Sequence, residues 1–149
     1  MKRTYQVFAY LIAGLVLVQA ALIVFAISAF GKYIGDGATM TPAIMNDQNA
    51  SYPGSTAFGL HWLNGAMITP LVVVIFLVIS FFAKIHGGTR WALYVFGLLV
   101  VQVVLGFVAA AVPGISWLHG VNAFALFSVA ALAGYRVQGT EPVPDISLS

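Results

Sequence analysis

Two short motifs carry the residue types most able to do chemistry. His61-Trp62-Leu63-Asn64-Gly65 and His119-Gly120-Val121-Asn122-Ala123 share the order His-x-x-Asn-small. In a helix, positions i, i+3 and i+4 lie on one face. Each motif therefore sets an imidazole, an amide and a gap side by side. Neutral imidazole is a common axial ligand of haem iron. Two opposed imidazoles, His61 and His119, suit one haem b between them. Asn64 and Asn122 would orient the ring nitrogens or meet the haem edge, and Gly65 and Ala123 would leave room for the flat macrocycle. A bare metal ion fits less well, because two His without a nearby carboxylate leave a zinc site incomplete. The absence of Cys excludes thiolate chemistry and Cys-ligated metals.

A plainer reading stands beside this one. A His near the end of a membrane span reaches interfacial water, and a His-Trp pair there can serve as an anchor. Asn and Gln can make interhelical hydrogen bonds worth roughly 1 kcal/mol each in a bilayer. For a single His the plainer reading is the default; the matched pair keeps both open, including the case of no cofactor at all.

The elements that must position these residues follow from composition. The chain has 149 residues, 61% hydrophobic and only 7% charged, with a mean hydropathy of +1.00. Soluble domains sit near ~45–50% apolar and ~25% charged, so a soluble enzyme and a disordered chain are excluded. A net charge of +2 is too small for a nucleic-acid footprint. Four stretches free of Asp, Glu, Lys and Arg run over about 5–30, 58–83, 91–112 and 116–135. Each reaches the ~20 residues a helix needs to cross the hydrocarbon, and none alternates as a barrel strand would. The expected fold is an all-α membrane protein, a four-helix bundle over residues 1–138 with an outer loop at 31–57 and a flexible tail at 139–149.

Charge sets the expected orientation. Lys2, Arg3, Lys84, Arg90 and Arg136 fall on one side and Lys32 alone on the other. The positive-inside rule then places both termini in the cytoplasm of a cell whose inner (plasma) membrane holds the chain. The first apolar run lasts some 25 residues, against ~7–15 for a signal-peptide core, and is expected to be a retained helix.

The spans read as a duplicated helix pair. Leu15–Leu22, with Gln19, resembles Leu98–Leu105, with Gln102, at an offset of 83; the His motifs match at an offset of 58. The difference of 25 is about the excess length of the first outer loop over the second. A parallel repeat has its axis along the membrane normal, which would bring His61 and His119 to equal depth on either side of it.

Other residues read more simply. His86 lies in the short connection Lys84–Arg90 as a solvated residue or a contact for lipid head groups. Its Gly87-Gly88 pair is too short for a phosphate loop. Pro70 is expected to kink the second span, and Gly106 and Ala110 to mark a close helix contact.

His61-x-x-x-Gly65, Gln102-x-x-Leu105-Gly106 and Leu118-His119-x-x-x-Ala123 together resemble one half of the haem A synthase (cytochrome oxidase assembly) family. The resemblance covers about residues 5–136. It also extends to small four-helix membrane proteins, mainly actinobacterial, that share this half-bundle pattern. It implies a His on the second helix and another on the fourth, near the outer surface, as haem ligands. The departures are specific. The synthase's catalytic half has a Glu one turn before its helix-2 His, where this chain reads Ala57-Phe58-Gly59-Leu60; the Arg that commonly follows that His is Trp62 here. With no carboxylate in any span, acid–base chemistry lacks a residue. Haem binding is thus implied and haem A synthesis is not.

Two functions are expected. One is a bis-His haem b site near the outer face, for electron transfer or haem handling. The other is a cofactor-free accessory subunit that packs against subunits of a larger membrane complex of respiratory type. The lipid bilayer is a partner in either case. The lack of charge within the spans argues against transport.

Overall fold

The computed structural model describes residues 1–47 and 49–137; the expected tail lies outside them. Among the described residues, four helices are long and apolar enough to cross a membrane. They are α1 (Lys2–Gly35), α3 (Ser55–Phe82), α4 (Gly88–Ala111) and α5 (Ser116–Tyr135), with a short α2 (Pro42–Asn46) in the outer segment. The chain is a multi-pass membrane protein by helix length and hydropathy. The spans alternate in direction, so Lys2, Arg3, Lys84, Arg90 and Arg136 gather at one end of the bundle.

Each span packs on its neighbours in a ring, α1 on α3 and α5, and α4 on α3 and α5. Helices α3 and α5, which carry the two His motifs, lie across the diagonal. Large apolar side chains such as Val24, Phe81, Phe107 and Phe124 face outward. Water would penalise so much exposed apolar surface, which lipid accommodates at no cost.

The core is not spread evenly. Tyr5, Ala9, Ile12, Ala13 and Val16 of α1 meet Val73 and Phe76 of α3, Ala92, Val95 and Leu99 of α4, and Leu126 and Ala130 of α5. All lie in the half nearer the basic end, and the many Ala let the backbones approach closely. Tyr5 is 1% exposed and donates to the Gly88 carbonyl at 2.9 Å, tying the start of α1 to the start of α4. Toward the other end, buried side chains thin out to Asn64, Thr69, Ala26 and Ala57.

The helix boundaries differ from those expected in two informative places. α1 runs past Phe30 to Gly35, where Lys32 and Asp36 pair at i, i+4 with 2.9 Å between them. Such a pair supports a helix beyond the apolar run. The outer segment, expected to be irregular, holds α2 because Thr41 caps it by accepting from the Ile44 amide and Pro42 occupies its first position. The segment then returns to α1 at Gly54. Its φ of 93° favours glycine, and a Cβ there would lie 2.6 Å from the Ala26 carbonyl oxygen.

At Pro70, where a kink is expected, the helix carries a local change of winding. Residues Asn64–Ile68 make a π turn inside α3, closed by the Thr69 amide on the Asn64 carbonyl. A proline gives no N–H and crowds the carbonyl four residues before it; widening the preceding turn by one residue relieves both. The turn begins three residues after His61.

Candidate functional site

The two imidazoles face each other across the diagonal, in the half of the bundle where the apolar core has thinned. Their ring centroids are 6.5 Å apart and their planes are inclined by 59°. Both are half-buried. The sequence pattern paired these residues, and the fold brings them together.

Each ring is held by the helix beside it. His61 Nδ1 lies 3.0 Å from the Gln19 carbonyl, and His119 Nδ1 lies 3.1 Å from the Gln102 carbonyl. A carbonyl can only accept, so Nδ1 carries the proton in both rings and Nε2 holds the lone pair. A hydrogen bond of this kind on the far nitrogen is what fixes ring orientation in metal-ligating His.

The asparagines act one turn further along. Asn64 Nδ2 donates to the Leu15 carbonyl at 3.2 Å, and Asn122 Nδ2 donates to the Leu98 carbonyl at 2.9 Å. Neither is hydrogen-bonded to a His. Their role in the structure is to tie α3 to α1 and α5 to α4, with the same pairing of side chain to carbonyl in each. The four carbonyls involved, Leu15, Gln19, Leu98 and Gln102, escaped the sequence reading because a backbone acceptor leaves no mark in residue type. The two Gln were visible only as matched polar positions.

The small residues are occupied rather than open. A Cβ on Gly65 would collide with the Gln19 side-chain amide, and Ala123 packs against the apolar core. Gly106, expected as a helix contact, lies against the site itself. A Cβ there would be 3.2 Å from His119 Cε1.

Beyond these shared contacts the two sides part. On the α4–α5 side, the Gln102 amide nitrogen is 3.0 Å from His119 Nε2, and Asn122 Nδ2 donates to Gln102 Oε1 at 2.7 Å. On the α1–α3 side, Gln19 Oε1 is buried without a partner, while Thr69 donates to Asn64 Oδ1 at 3.0 Å. Thr69 was not singled out from sequence, since a Thr in a span ordinarily back-bonds to its own helix.

No group of three or more His, Cys, Asp or Glu able to hold a metal ion occurs among the described residues. A zinc site is therefore incomplete there, whereas haem, which supplies four nitrogens of its own, asks for only one or two protein ligands. No protein-family model, no curated protein and no solved structure matches the chain.

Proposed function

We propose that this membrane four-helix protein holds a haem b between His61 and His119, for electron transfer or haem handling. The observation that carries the reading is the pair of imidazoles at 6.5 Å, each with Nδ1 committed to a carbonyl. That separation is within the reach of one metal held by both rings, given metal–nitrogen bonds of ~2 Å and a ring radius of ~1 Å on each side. The thinning of the core toward this level supports the reading, as does the resemblance to one half of the haem A synthase family. So does a recurrence of contacts between the two helix pairs. The contacts Gln19–His61 and Leu15–Asn64 recur as Gln102–His119 and Leu98–Asn122, at the sequence offsets of 83 and 58 already noted.

In this reading His61 and His119 would hold the iron through Nε2, and the Gln19 and Gln102 carbonyls would keep the rings in the required tautomer. Such a group supplies one-electron chemistry when bound. The Gln102 amide must leave His119 Nε2 before that nitrogen can act as a ligand. Asn64 and Asn122 hold the helix pairs in register.

The Gln102–His119–Asn122 network also favours a second reading. It satisfies His119 from within the chain, as a cofactor-free accessory subunit of a larger membrane complex would require. A reduced-minus-oxidised spectrum of detergent-purified protein from haem-supplied cells separates the two. The haem reading expects a sharp low-spin b-type band, lost in both His61→Ala and His119→Ala. A colourless wild-type protein would sink it, and co-purification of partner subunits with colourless protein would establish the second.

A further inference from the structure

A second site lies at the opposite, basic end, where a cavity of about 240 Å³ opens between α1, α4, α5 and the α3–α4 connection. Tyr5, His86, Gly88, Trp91 and Arg136 line it, with two aliphatic side chains. It is smaller than the ~300–1,000 Å³ of ordinary small-molecule clefts, which suits a compact head group. We propose that this cavity binds the phosphate of an anionic phospholipid. Nothing in the proposal depends on the histidine pair.

The chemistry of the lining is that of an anion site. Arg136 has its Cζ 5.2 Å from the Trp91 ring centroid. This is a cation–π contact, and a guanidinium so placed still has N–H groups to offer, in the fork that binds phosphate in bidentate fashion. No acid neutralises this charge among the described residues, whose two carboxylates, Asp36 and Asp47, belong to the opposite end. Trp91, whose ring Arg136 covers, lines the same cavity, and its buried indole N–H has no hydrogen-bond partner. α4 begins at Gly88 with no side-chain cap, so its positive end adds to the potential there.

The walls are fixed. Tyr5 donates to the Gly88 carbonyl and packs on Phe76 at 4.6 Å between centroids. Gly87 turns the connection with a φ of 70°. A pocket with an Arg at the level of a span end is where a lipid phosphate lies while its chains follow the apolar helix surface. Free inorganic phosphate offers the same oxygens without the chains, and the experiment distinguishes them.

The protein is purified in mild detergent and its bound lipid read by native mass spectrometry after exchange against equimolar phosphatidylglycerol and phosphatidylcholine. Wild type is expected to keep one phosphatidylglycerol in preference to phosphatidylcholine. Arg136→Gln should lower that retention at least fivefold, and His86→Ala, at the edge of the same cavity, about twofold. Lys84→Ala, which removes a charge at the same end but outside the cavity, should change it by less than half. Equal retention of the two lipids overturns the proposal, as does equal loss in Lys84→Ala and Arg136→Gln, which marks diffuse attraction. Should Arg136→Gln fail to fold, unchanged retention in His86→Ala overturns it. Inorganic phosphate that displaces the lipid at millimolar concentration overturns the assignment to lipid.

Discussion

In the α1–α3 half, His61 donates to the Gln19 carbonyl, and the Gln19 side chain turns away to lie over Gly65 with its Oε1 unpartnered. In the α4–α5 half, His119 donates to the Gln102 carbonyl, but the Gln102 amide turns back onto Nε2 and Asn122 closes the loop on Oε1. The same backbone anchors thus support one open ring and one capped ring. The second difference lies behind the asparagines. Thr69 and Pro70, which shape the π turn and hold Asn64, are matched at the offset of 58 by Phe127 and Ser128, where α5 continues as plain helix. A ligand using both rings meets His61 directly and must displace Gln102 from His119, at a cost of about one hydrogen bond, ~1 kcal/mol.

Gln102→Leu tests this asymmetry most strongly. It removes the bonds to His119 Nε2 and Asn122 together, and unfolding in detergent–denaturant mixtures should register a loss of about 1–2 kcal/mol. The same variant uncovers Nε2, so if haem binds, its retention should rise while stability falls. Parallel falls in both would show that Gln102 positions the ligand instead of blocking it.

Glycine-to-alanine changes come next. At Gly106 the added Cβ meets the His119 ring at 3.2 Å, and the ring is anchored by its carbonyl bond and cannot easily retreat. A loss of about 1 kcal/mol is expected. At Gly65 the obstacle is the free end of the Gln19 side chain, which can rotate, and the matching residue is already Ala123. Gly65→Ala should therefore cost less than Gly106→Ala in the same unfolding assay, and the reverse order would mean that Gln19 is held more firmly than its contacts imply.

Thr69→Val removes the hydroxyl that occupies Asn64 Oδ1. A single interhelical or intrahelical bond of this kind is worth about 0.6–1 kcal/mol in a bilayer. Unfolding of the variant should show that loss, whereas Ser128→Ala on the other side should be near neutral, because its hydroxyl only back-bonds to Phe124. Equal effects would remove the distinction drawn between the two turns.

How much of this was legible in the sequence depends on what carries each feature. The spans, the basic end and the paired His motifs are written in residue type, because hydropathy over twenty residues and a polar residue within it survive any detail of packing. The end of α1 was missed by five residues, since hydropathy marks the edge of the apolar run and the Lys32–Asp36 pair carries the helix beyond it. Thr41-Pro42 is a helix start by residue type, masked by a surrounding composition that reads as loop. The carbonyl anchors of the His rings and the cap by Gln102 were beyond reach, because they depend on which way a side chain turns from a fixed backbone. That is where Gln19 and Gln102, identical in type and place, differ.

The smallest effect is the sharpest test of the comparison. Gln19 Oε1 is buried and unpartnered, so its desolvation is already a cost to the folded state. Replacing the side chain by one of similar length without polar atoms removes that cost and breaks no side-chain hydrogen bond among the described residues; the carbonyl that anchors His61 belongs to the backbone and stays. Gln19→Leu is therefore expected to be neutral or stabilising by up to about 1 kcal/mol, opposite in sign to Gln102→Leu at the matching position. If Gln19→Leu instead destabilises the bundle as Gln102→Leu does, the first half has a polar contact equivalent to the second, and both rings are capped alike.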